Sequence, residues 1–148
     1  MSLEQETKTV IEEARMVLPG IQALFGFQLM AVFNNGFNSL KPPEQILHLS
    51  ALILVAAAIA LIMTPAAFHR IAEKGLVSRR FIELGSRLLA LAMVPLMFGL
   101  SMDLFIVARL VLNNVGLSVI IATALLLLFC ALWYVFPWME RKEHRAAK

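Results

Sequence analysis

Cysteine occurs once in this chain, at Cys130 in the apolar run LLLLFCALWY, which excludes a disulfide within the chain and any multi-cysteine metal or redox centre. Charge is scarce too. Only 16% of the 148 residues are charged and 60% are hydrophobic, and with a mean hydropathy of +0.80 the chain falls in the membrane class. No Asp, Glu or His sits at the centre of a long apolar run, where coupled carriers place such groups, so a coupled transporter is not expected. The first and third runs also share no inverted-repeat pattern. A Ser–His–acid arrangement, a phosphate-cradling glycine loop and paired carboxylates are likewise missing, so no catalytic residue is assigned.

What is present is a single domain of four apolar runs, at about 18–40, 46–68, 84–107 and 117–136. Each is long enough for a helix to cross about 30 Å of hydrocarbon. The polar segment 1–17 places Leu3, Val10, Ala14 and Val17 on one helical face, with Glu4 and Lys8 as an i,i+4 pair. An amphipathic surface helix is expected there, with a bend at Pro19 and Gly20, and no signal-peptide pattern precedes it. Lys41, Pro42 and Pro43 break the first run from the second, and Glu44 suits a helix first turn. Gly75 reads as a helix stop and Ser78 as a cap, Pro95 and Gly99 as a kink, and Asn113, Asn114 and Gly116 as a turn. Trp133, Tyr134 and Trp138 mark a membrane interface, and a basic tail, 139–148, follows.

The basic residues decide orientation. Eleven of the thirteen lie in 1–17, around the central loop and in the tail, and only Lys41 and Arg109 lie in the other two connections. The positive-inside rule then places both termini and the central loop in the cytoplasm. The expected fold is all-α, an integral-membrane four-helix antiparallel bundle with an amphipathic N-terminal cytosolic helix.

The stretches EEARMVLPGIQALFGFQL, residues 12–29, and TPAAFHR, residues 64–70, resemble segments of a bacterial family of small four-helix membrane proteins of unknown function. The resemblance implies a multi-pass protein of the bacterial inner membrane. It implies no activity, cofactor or catalytic residue.

Three groups of side chains are candidates for function. The first is an amide set in the first run, Gln22, Gln28, Asn35 and Asn38. On one helix through residue 40, Gln28, Asn35 and Asn38 share a face and Gln22 lies about 120° away. Such amides either line a path for an ion or small solute or hydrogen-bond between helices, at about 0.6–2 kcal/mol each. The second group, His69, Arg70 and Arg87, stands at the inner interface and suits anionic lipid headgroups or another anionic ligand, with Glu83 one turn before Arg87. The third is the small-residue stripe Ala56, Ala60 and Thr64, which permits close helix approach. His48 and His69 lie 21 residues apart on one run, about 30 Å, and cannot share a metal.

A structural or accessory membrane component, assembled with its own copies or a membrane-protein partner, is the favoured reading. A homo-oligomeric pore is the alternative and a lipid-interface enzyme the third. The bilayer is the expected surrounding; no metal, cofactor or nucleic-acid partner is expected.

Overall fold

The computed structural model describes residues 3–72 and 79–146. The expected Gly75 stop and Ser78 cap lie outside them, and so does the side chain of Glu4, the expected partner of Lys8. The described chain is all-α: helix α1 (Leu3–Val32), a 3-10 turn (Asn35–Ser39), α2 (Pro42–Ala72), α3 (Arg79–Leu112), α4 (Val115–Cys130), a π turn (Ala131–Val135) and α5 (Phe136–Ala146). Among the described residues four helices, Gln5–Val32, Pro42–Ile71, Arg79–Leu112 and Val115–Lys142, are long and apolar enough to cross a membrane. The chain divides into two compact units, residues 1–99 and 100–148.

In the first unit, α1 joins the N-terminal segment and the first span in one helix. It runs unbroken through Pro19 and Gly20, where a bend between surface helix and span is expected. Buried Val10 lies before the proline, and buried Ile21 and Gln28 after it. Packing on both sides keeps the helix continuous although Pro19 donates no backbone hydrogen bond. The helix then ends at Val32, not near residue 40. Asn34 is extended, at φ −86° and ψ 142°, and Asn35–Ser39 forms the 3-10 turn, as an Asn-Asn-Gly sequence favours. Asn35 and Asn38 therefore leave the helical face that holds Gln28.

The start of α2 is capped from inside. The Lys41 backbone N–H donates to Glu44 Oε2 at 2.9 Å, the second half of a capping box. Gln45 Nε2 donates to the carbonyl oxygens of Phe37, at 3.2 Å, and Leu40, at 3.4 Å. These bonds fasten the 3-10 turn to α2.

Helix α2 is apolar all round, yet its burial is periodic. His48, Ala51, Val55, Ala58, Ile62 and Pro65 are buried, at spacings that alternate 3 and 4 and so keep one seam inward. Ile21, Val55, Ala58, Ile62 and Ala92 form the core cluster. On α3, buried Gly85, Ala92 and Gly99 repeat every seven residues. A Cβ on Gly99 would stand 3.2 Å from the Ala51 carbonyl oxygen and 3.1 Å from Val55 Cγ2; one on Gly85 would stand 2.8 Å from Val10 Cγ1. Gly99 lets the backbones of α2 and α3 approach closely, and Gly85 makes room for the Val10 side chain. No helix break occurs at Pro95 or Gly99.

The large side chains point outward. Phe27 is 74% exposed and Met30 71%, whereas the bulkiest fully buried side chains are Phe81, Val55 and Ser118. This distribution suits a chain surrounded by lipid, where small residues mediate helix contact and large apolar ones face the acyl chains.

In the second unit, Asn113 takes a left-handed conformation at φ 49°, which asparagine tolerates at a helix end. Arg109 Nη1 donates to Asn113 Oδ1 at 2.9 Å. Asn114 caps α4, its Oδ1 accepting from the Leu117 N–H at 3.1 Å. The π turn closes with the Phe136 N–H on the Ala131 carbonyl, immediately before Pro137. That proline lacks an N–H and its ring crowds the carbonyl one turn back, and local widening of the helix relieves the conflict. Phe129 stacks on Trp133 at 4.5 Å, and Lys142 Nζ lies 3.6 Å from the Trp138 ring centroid.

Candidate functional site

Two polar arrangements sit at opposite ends of the α2 seam. At the start of α2, His48 is buried and its Nε2 donates to the backbone carbonyl oxygen of Gln28 at 2.9 Å, which places the ring proton on Nε2. The Phe37 ring meets the imidazole edge-on at 5.7 Å. One histidine thus ties α2 both to α1 and to the 3-10 turn.

At the other end, α1, α2 and α3 enclose a pocket of about 570 Å³. From α1 come Val10, Ala14, Arg15 and Leu18; from α2, Ile62, Pro65, His69 and Arg70; from α3, Phe81 and Leu89. The His69 ring packs on Phe81 at 5.1 Å, and Phe81 is 1% exposed. His69 Nδ1 is buried with no hydrogen-bond partner among the described residues, and so is Thr7 Oγ1, one turn before Val10. An unsatisfied buried polar atom costs about 1–3 kcal/mol. Arg15 and Arg70 are exposed, so the pocket has an apolar interior and a basic, wet rim.

The sequence candidates separate in space. His69 and Arg70 share the pocket, while Arg87 lies exposed on α3 and outside its lining. Arg15 joins them although the sequence marks it only as one of many basic residues; the signal is its place in 12–29, which with 64–70 supplies two of the pocket's walls. Of the amides, Gln28 is buried, and Gln22, Asn35 and Asn38 are exposed. Of the small-residue stripe, Ala56 is half-buried and Ala60 and Thr64 are exposed, with Thr64 Oγ1 donating to the Ala60 carbonyl at 2.8 Å. Among the described residues no three His, Cys, Asp or Glu side chains gather closely enough to hold a metal ion.

The four long apolar helices are those of a multi-pass membrane protein, and α1, α2 and α3 line an amphipathic pocket with Arg15 and Arg70 at its rim. The chain belongs to a family of unknown function, DUF6328, which matches residues 2–137. No curated protein and no solved structure matches it.

Proposed function

We propose that this protein is a non-catalytic structural or accessory component of the bacterial inner membrane, a four-span antiparallel bundle with both termini cytoplasmic. The observation that carries this reading is the position of Gln28. It is 4% exposed, on the face of α1 that also buries Thr7, Val10 and Ile21, and its backbone carbonyl accepts from His48. The deepest amide of the chain is therefore packed between helices and does not face an open path. Asn35 and Asn38, on the 3-10 turn, do not extend it into a polar stripe along one helix.

The exposed side of α2 that bears Ala60 and Thr64 is the surface we assign to a second copy or to another membrane protein, because small residues let a neighbouring helix approach closely. A homo-oligomeric pore is the second reading, with Gln22 as its exposed amide within a span. Purified protein in liposomes separates the two: no flux of ions or small solutes supports the structural reading, and a flux that Gln22→Leu abolishes supports the pore.

A further inference from the structure

We propose that the pocket among α1, α2 and α3 binds one acyl chain of an anionic phospholipid, whose phosphate is held at the rim by Arg15, Arg70 and His69. The inference rests on the chain spanning a membrane, and it stands whether the protein is a scaffold or a pore.

Three properties of the pocket select this occupant. Its described lining is apolar except for those three side chains and includes no acidic group, so it matches a hydrocarbon body with negative charge at one end. The two guanidiniums are exposed while Ile62 and Phe81 behind them are buried. A ligand there has its charge in water and its chain between helices, the arrangement of a lipid at the membrane interface. Arginine also suits phosphate in particular, because its planar fork donates two parallel hydrogen bonds to phosphate oxygens. Third, His69 lines the pocket and its buried Nδ1 has no hydrogen-bond partner among the described residues; a turn of the ring would bring it to a phosphate oxygen or headgroup hydroxyl at the rim. A volume of about 570 Å³ lies within the range of small-molecule sites and suits one chain, leaving the second chain in the bilayer.

Native mass spectrometry of the full chain in mild detergent, titrated with phosphatidylglycerol or phosphatidylcholine, tests this. One phosphatidylglycerol should be retained per chain at least tenfold more tightly than phosphatidylcholine. The double variant Arg15→Gln/Arg70→Gln should lose that preference, whereas Arg80→Gln/Arg87→Gln, which removes equal charge outside the pocket, should keep it. Ala66→Trp, which adds a large ring to the pocket lining, should weaken retention of both lipids at least tenfold; if it does not fold by circular dichroism, Met63→Trp, at another exposed position of the same lining, replaces it.

Equal retention of the two lipids overturns the proposal, as does an equal loss in the two arginine pairs. Undiminished binding to the tryptophan variant removes the chain from the pocket. Displacement of phosphatidylglycerol by an equal concentration of oleate would make the occupant a fatty acid, and displacement by millimolar inorganic phosphate would make it a bare anion; either result also refutes the phospholipid.

Discussion

His48 Nε2 donates a 2.9 Å hydrogen bond to the main-chain carbonyl oxygen of Gln28, joining α1 and α2 at the end of the seam opposite the pocket. The acceptor is backbone, so any residue at position 28 supplies it; the donor is the specific part. His48→Leu should lower stability by about 1 kcal/mol, the usual size of an interhelical hydrogen bond in a membrane protein. Thermal unfolding in detergent measures it, and an unchanged midpoint would show that the Gln45 bonds and the helix packing hold this end without the histidine.

The glycines give a paired prediction about packing. Gly99→Ala places a methyl against the Ala51 carbonyl and Val55, within 3.2 Å of each, and should cost about 1–3 kcal/mol as overpacking does. Gly26→Ala meets nothing within 4 Å and should be neutral or add up to about 1 kcal/mol through helix propensity. Unfolding of both variants under one condition provides the comparison, and equal effects would contradict the close approach of α2 and α3.

The four long apolar helices, the Glu44 first turn and the Asn113–Asn114 turn were all legible in the sequence, because apolar length and turn chemistry are local signals. The inward face of α2 was not. In a helix that is apolar all round, hydrophobicity does not mark a side, and smallness favours Ala56, Ala60 and Thr64 over the seam His48, Ala51, Val55, Ala58, Ile62 and Pro65. The end of α1 was missed for a different reason. Asn34, Asn35 and Gly36 carry a turn signal, but the apolar Phe33, Phe37 and Leu40 around them resemble a continuing span. Arg15 could not be placed in a pocket by any local pattern, since its neighbours there, His69 and Arg70, lie more than fifty residues away.

Orientation is a separate prediction, drawn from the basic residues. Reporter fusions after Lys41 and after Asn114 should report from outside the cytoplasm, and one after Gly75 from within. A Gly75 fusion outside the cytoplasm would reverse the topology and place the rim arginines in the outer leaflet.

Exposed Ala60 and Thr64 predict assembly through one side of α2. Ala60→Leu/Thr64→Leu should shift the protein toward monomer in native mass spectrometry while the thermal midpoint of the single chain changes little, since neither side chain enters the core. A wild-type protein that is monomeric at every concentration would assign that side of α2 to lipid.

The central claim is that Gln28 packs between helices and that the chain does not conduct. Its most direct test is flux through liposomes containing the purified chain, measured for monovalent ions and small neutral solutes, with Gln22→Leu in parallel. The account predicts that wild-type liposomes stay as tight as protein-free ones and that Gln22→Leu changes nothing. A wild-type flux that Gln22→Leu abolishes, in a variant that still folds, would contradict it.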